Sequence, residues 1–216
     1  MSRSKKHTRG RFITLEGIEG VGKSTHMQFI CARLRTRSLE VIETREPGGT
    51  PGADEIRATL LKLRDEAFDP MAELLLMFAA RTLHVENVIR PALAAGTWVV
   101  CDRFTDASYA YQGGGRGIPS VRIAALERMV LKGLKPDLTL LLDAHTEVGM
   151  SRVRDRGQLD RFEQEQHAFF RRVRRVYLAR ARREPRRICI VDAGRELAAV
   201  QAEIGTVLDG RLKRWA

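Results

Sequence analysis

A five-stranded parallel sheet flanked by helices is the fold this sequence predicts, on three observations. Five short apolar segments, Phe12 to Leu15, Val41 to Thr44, Trp98 to Cys101, Leu138 to Leu142 and Ile188 to Val191, read as buried strands. Helical patterns lie between them, and strand–helix alternation implies right-handed crossovers and a sheet covered on both faces. The first strand runs into Gly17-Ile18-Glu19-Gly20-Val21-Gly22-Lys23-Ser24, a match to G-x-x-x-x-G-K-[ST], and a helical pattern (Met27, Ile30, Cys31, Leu34) follows it.

That loop sets the chemistry. Its glycines let successive backbone N–H groups turn inward on phosphate oxygens and deliver the anion to a helix N-terminus. Gly17, Gly20, Val21 and Gly22 form the cradle, Lys23 lies along the β- and γ-phosphates, and the Ser24 hydroxyl meets Mg²⁺, with Thr25 in the same nucleotide-binding set. The expected fold is therefore P-loop NTPase-like. Glu19 is an acid inside an anion cradle, which is electrostatically awkward, so it is expected to face something other than ATP.

A chain of 216 residues fits a single domain, here 11–216, preceded by a basic tail, 1–10, that is expected to be disordered. No stretch approaches the roughly 20 apolar residues a bilayer span needs, and no apolar region backs the basic N-terminus, so a cytoplasmic protein is expected. Cys31, Cys101 and Cys189 lie in apolar segments without metal-ligand spacing and read as buried free thiols. The net charge of +11 and the run from Arg171 to Arg187 raise the question of nucleic acid. Phe169, Phe170, Val173, Val176, Tyr177 and Leu178 recur at helical spacing, however, so the arginines read as the solvated side of an amphipathic helix. Without a recognised nucleic-acid module, the expected polyanion is a nucleotide.

Ligands bind such sheets at the carboxyl ends of the strands, so the residues after each strand carry the argument. After the second strand, Arg45-Glu46-Pro47-Gly48-Gly49-Thr50 combines a stiffening proline with glycines that let backbone approach a ligand, although alone it reads equally as an ordinary turn. Arg57 follows on the next helix and Arg81 on a longer one, suiting an anionic phosphoryl acceptor. Met77 and Phe78 nearby read by spacing as core residues or as a stacking platform. After the third strand, Asp102 is placed to hold Mg²⁺ through water and Arg103 to bridge two phosphates. Gln112-Gly113-Gly114-Gly115-Arg116-Gly117 calls for positive backbone dihedrals or close contact with a ligand, and Tyr109 and Tyr111 precede it. Arg152 to Arg161 packs guanidinium groups around Gly157 at a helix end, the composition of a short Arg-rich lid at about 154–163.

Six segments, in this order, resemble the thymidylate kinase family in its bacterial form: GIEGVGKS, TREPGGT (44–50), the Asp102-Arg103 pair, AYQGGGRG (110–117), PDLTLLLD (136–143) and RGQLDRFE (156–163). The resemblance covers nearly everything from Phe12 onward. It implies transfer of the ATP γ-phosphoryl group to dTMP, giving dTDP and ADP with Mg²⁺, by a protein that in this family is usually a homodimer. It assigns Glu19 to the acceptor 3′-hydroxyl, and Arg57 and Arg103 to the acceptor phosphate. Arg81 takes the thymine edge, Ser108, Tyr111 and Gln112 the base and deoxyribose, and Glu46 and Pro47 join the substrate side. Arg156 becomes the main charge-neutralising arginine, since Ile18 to Val21 holds none, and the Asp192-Ala193-Gly194 loop lies beside adenine. Two positions depart from the pattern: Met77 stands where the family often has a thymine-stacking Phe, leaving Met77 or Phe78 for that role, and Phe104 stands where it often has Tyr or His.

Other readings separate on simple features. A GTPase needs an N-K-x-D guanine reader, and the one asparagine of the chain, Asn87, lies in Asn87-Val88-Ile89-Arg90. A P-loop ATPase acting on nucleic acid predicts hydrolysis stimulated by DNA or RNA and indifferent to dTMP. A same-fold kinase of another nucleotide differs only in its acceptor-side residues.

Overall fold

The computed structural model of the chain describes residues 9–63, 66–154 and 161–215. Five strands, β1 (Phe12–Glu16), β2 (Val41–Arg45), β3 (Trp98–Asp102), β4 (Leu138–Asp143) and β5 (Ile188–Asp192), form one all-parallel sheet in the order β2-β3-β1-β4-β5. Each runs one residue past its apolar segment, so a charged residue, Glu16, Arg45, Asp102, Asp143 or Asp192, sits at every carboxyl tip. The central strands β3, β1 and β4 are buried along their length up to those tips, as strands covered on both faces must be, whereas the edge strand β2 is half exposed.

The helices are α1 (Lys23–Arg35), α2 (Pro51–Leu61), α3 (Pro70–His84), α4 (Arg90–Ala94), α5 (Thr105–Ser108), α6 (Ser120–Leu131), α7 (Thr146–Arg154), α8 (His167–Arg183) and α9 (Leu197–Trp215). A proline opens both α2 and α3, and the side chains of Thr50 and Asp69 cap them by accepting from the N–H groups of Ala53 and Met71. Period-two alternation divides the core: Ile13, Leu15 and Val100 pack with Ile30 and Leu34 of α1 and Phe170 and Val173 of α8, while Phe12, Val99 and Cys101 pack with Val85, Ile89 and Leu93.

Four expectations are corrected. The basic tail was bounded at residue 10, but the chain is already part of the fold there: Gly10 is buried and donates to the Leu93 carbonyl; residues 1–8 lie outside the described residues. Cys189 is only half buried, unlike Cys31 and Cys101, because β5 is an edge strand. The Gln112 segment does not need its glycines for unusual dihedrals until Gly117, at φ 81°. Gly114 and Gly115 instead lie in a π-type turn (Tyr109–Gly115) pressed on α8, where an added Cβ would meet Val176 at 2.6 Å and the Phe169 ring at 2.4 Å. At Gly114 and Gly115 the constraint is therefore helix packing, whereas Gln112 at the start of the segment lines the cleft. Finally, Phe78 is buried with Leu74, Ile118 and Ile123, because its position on α3 faces α6 rather than the strand tips.

Candidate active site

A cleft of about 620 Å³ opens at the carboxyl ends of the strands, where the sheet order changes direction beside β1. One wall is the glycine-rich loop. Gly17, Gly20 and Gly22 all hold positive φ (141°, 73° and 82°), and at Gly17 a Cβ would strike the Leu142 carbonyl at 2.4 Å. Gly20, Gly22, Lys23, Ser24 and Thr25 line the cleft, while the Val21 side chain is turned into the core. Lys23 Nζ donates to the carbonyls of Ile18 at 2.9 Å and Gly17 at 3.4 Å. Burial, with Arg103 nearby, lowers the Lys23 ammonium to about 8.

Facing that loop is a group from β3. Arg103 sits at φ 68°, a left-handed conformation unfavourable for a side-chain-bearing residue and maintained here by its surroundings. Its own N–H donates to the Leu15 carbonyl at 2.9 Å, and the next N–H, of Phe104, donates to Glu16 Oε1 at 2.7 Å. The turn aims the guanidinium back across the cleft: Nη1 donates to the Gly17 carbonyl at 3.0 Å and Nη2 to Glu19 Oε1 at 2.8 Å, and the group lies 4.7 Å from the Tyr111 ring centroid. Tyr111 donates its hydroxyl to both Glu19 oxygens, at 2.8 and 2.7 Å. Glu19 is thus turned toward Arg103 and Tyr111, across the cleft from Lys23.

Sequence reasoning passed over Glu16 because it stands outside the loop pattern; a carboxyl group ending an otherwise apolar strand was the available signal. Glu16 is fully buried, accepts from Tyr177 Oη at 2.7 Å, and is pushed up to about 8 by burial and by Asp106. Tyr177, counted only as part of the apolar face of α8, also receives Arg103 Nη1 at 3.4 Å.

The far wall comes from α3, α5 and the loop after β2. Arg81 is buried with its guanidinium 4.6 Å from the Phe78 ring centroid and 5.4 Å from that of Phe104. It donates to Glu46 Oε2 at 2.6 Å, Ser108 Oγ at 3.0 Å and the Phe104 carbonyl at 3.2 Å. Glu46 also meets His84 Nδ1 at 3.1 Å, so its carboxylate is engaged in orienting Arg81. Arg57 lines the cleft and donates to the Pro47 carbonyl at 3.0 Å. Met77, Ser108, Tyr111 and Gln112 all reach the cleft, and Phe104, flagged in the sequence only for a missing hydroxyl, supplies a ring to its wall. Of the two adjacent residues, Met77 lines the cleft and Phe78 is buried.

One assigned residue falls elsewhere: Asp192 is exposed outside the cleft wall and accepts from the Gly194 N–H at 3.0 Å. Arg156 and the expected lid over 155–160 lie outside the described residues. Arg152, by contrast, lines the cleft and reaches the Ala193 carbonyl at 3.3 Å, joining the phosphate loop side to the loop after β5.

A glycine-rich phosphate loop between β1 and α1, on an all-parallel β2-β3-β1-β4-β5 sheet with a charged cleft at the strand tips, defines a P-loop NTPase fold. Comparison with known proteins narrows that class. A family profile described as thymidylate kinase matches residues 15–204. Thymidylate kinase of Chromohalobacter salexigens is 59% identical over 211 residues, covering 97% of this chain and all of that protein. One of Pseudomonas putida is 58% identical, covering 94% and 98%. A crystal structure of thymidylate kinase from Ehrlichia chaffeensis superposes with a TM-score of 0.75 at 31% identity, over 93% of this chain and 99% of that one. The chain belongs to the thymidylate kinase family.

Proposed function

We propose that the chain acts, as one catalytic domain spanning 11–216, to move the γ-phosphoryl group of ATP onto dTMP, giving dTDP and ADP on the route to dTTP. What carries this reading is the division of the cleft: a phosphate loop with Lys23 on one side, and on the other the Glu19–Tyr111–Arg103 group with Arg81 and Met77.

The acceptor is already an anion, so no strong base is required; positioning and charge stabilisation suffice. A phosphate oxygen of dTMP forms the bond to the γ-phosphorus as the bond to the β,γ-bridging oxygen breaks. Lys23 and the loop N–H groups hold the donor phosphates. Arg103 and Arg57 hold the acceptor phosphate in line, and Arg156 in the lid takes up charge on the transferring group. Glu19 receives the sugar hydroxyl, Arg81, Ser108 and Gln112 read the base, Glu46 and Pro47 shape the acceptor side, and Met77 packs on the thymine face through its thioether. The Asp192 loop lies on the adenine side.

The residues suit a Mg²⁺ ion. Among the described residues, Asp102 Oδ1 is buried without a hydrogen-bond partner at the end of β3, and both Asp102 and Ser24 line the cleft. When bound, such an ion supplies charge neutralisation between the phosphates of the donor.

We infer a cytoplasmic homodimer. Among the described residues no helix is long and apolar enough to cross a membrane. Leu75, Ala79 and Leu83 form an exposed stripe on α3, with Leu75 half exposed, which a second copy would cover. A coupled ADP-release assay with ATP, Mg²⁺ and a panel of dTMP, dUMP, dCMP, dGMP, AMP and thymidine tests the reaction. Turnover confined to dTMP, with weaker dUMP, is expected; turnover with another acceptor overturns the acceptor assignment, and hydrolysis stimulated by DNA or RNA overturns the kinase reading.

A further inference from the structure

Behind the base-reading end of the cleft lies a buried carboxylate that the reaction scheme does not use. Glu73 is in the first turn of α3 with a side chain 1% exposed. Its two oxygens face different parts of the site. Oε1 accepts from Gln112 Nε2 at 2.9 Å. Oε2 accepts from Arg161 Nη2 at 2.6 Å and pairs with Arg116 Nε at 3.4 Å.

Each of these partners leads back to the cleft. Gln112 lines it, and a primary amide presents donor and acceptor ends that are nearly interchangeable in shape. A carboxylate can only accept, so Glu73 requires the NH₂ end to face it. The amide carbonyl is then left for a donor on the ligand. Arg161 is anchored through Nε to the Leu60 carbonyl at 2.8 Å and lies 4.4 Å from the centroid of Phe162, whose side chain lines the cleft. Arg116 lies 5.8 Å from the same ring and 4.9 Å from Phe169, and its Nη1 pairs with Glu165 at 2.5 Å. A single buried carboxylate therefore links α3, the glycine segment after α5 and the stretch from Arg161 to Glu165.

Burial explains why this link is specific. A carboxylate taken from water is tolerable only when its lone pairs are filled by good donors, and removing the charge takes from two part-buried guanidinium groups the partner they share. Replacing the acid by an amide also frees Gln112 to turn over.

We propose that Glu73 is a positioning residue for the acceptor base: it fixes the donor–acceptor sense of the Gln112 amide and, through Arg161 and Arg116, the Phe162 wall. This rests on the acceptor-pocket reading given above. Asp69 caps α3 and the apolar residues Leu74 and Phe78 seat it in the core, so kinetics and Tm together separate a positioning role for Glu73 from a structural one.

The test is a double-mutant cycle on the full-length protein with steady-state kinetics in both substrates. Glu73→Gln is expected to raise KM for dTMP about tenfold, the loss typical of one misdirected buried hydrogen bond, with kcat and KM for ATP changed less than threefold. Glu73→Asp, which keeps the charge one methylene short, is expected to recover part of the loss. Gln112→Ala alone is expected to raise KM for dTMP, and adding Glu73→Gln to it is expected to raise KM little further. If Glu73→Gln lowers kcat or Tm while KM for dTMP stays unchanged, or if the two effects multiply, Glu73 is structural and the proposal is overturned while the pocket reading stands. If Gln112→Ala leaves KM for dTMP unchanged, the pocket reading fails and the proposal with it.

Discussion

Arg103 Nη2 donates to Glu19 Oε1 at 2.8 Å, joining the tip of β3 to the middle of the phosphate loop. This contact accounts for an acid placed inside an anion-binding loop. The guanidinium and the Tyr111 hydroxyl both hold the carboxylate, and on the proposed reading this turns its charge away from the donor phosphates.

Glu19→Gln keeps the shape and removes the charge that orients Arg103. KM for dTMP is expected to rise about tenfold, in keeping with a charged hydrogen bond, while KM for ATP stays within about twofold. Initial-rate measurements varying each substrate in turn check this; equal weakening of both would place Glu19 against the donor.

Lys23 supplies a pH dependence. Its ammonium is lowered to about 8 by burial and by Arg103, and donor phosphates restore the charged form, so nucleotide binding takes up a proton as pH rises past 8. ATP affinity is expected to fall about tenfold between pH 7.5 and 9. Isothermal titration in buffers of different ionisation enthalpy reads both the affinity and the proton count.

Glu16 affects stability in the same range. Its folded-state value, pushed up to about 8 by burial, lies above the usual 4.5, so the stability it contributes is complete below about 4.5 and is lost as pH rises through 8. Glu16→Gln stays neutral throughout. Its Tm is expected to match the parent at pH 5 and to exceed it at pH 8.5, as thermal melts across that range would record.

Met77 and Phe78 separate binding from stability. Met77→Ala is expected to raise KM for dTMP severalfold with little loss of Tm, since its side chain lines the cleft. Phe78→Ala is expected to cost about 3–5 kcal/mol of stability by opening a cavity among Leu74, Ile118 and Ile123. Urea unfolding of both variants, beside their kinetics, distinguishes the two roles.

Arg156→Ala is expected to lower kcat by roughly 10³, as removal of a charge-neutralising arginine does in related phosphoryl transfer. Single-turnover measurements at saturating substrates would show the loss in the chemical step.

The local pattern of the sequence was enough to define the five strands, the phosphate loop and the residues at the strand tips. Each rests on neighbours within a few positions: apolar runs with flanking glycines, or a loop whose spacing matches one geometry. Tertiary structure decided what depends on partners far along the chain. Whether Met77 or Phe78 faces the ligand depends on how α3 rolls against α6, a rotation that periodicity leaves open between adjacent residues. Glu46 lines the cleft, but that its oxygens meet His84 and Arg81, 38 and 35 positions away, is not written in its own loop. Glu16, Tyr177 and Arg103 converge across up to 161 residues, and Glu73 meets Arg161 across 88. A buried charge is stabilised only by the donors that folding brings to it, so its role appears only when those donors are in place.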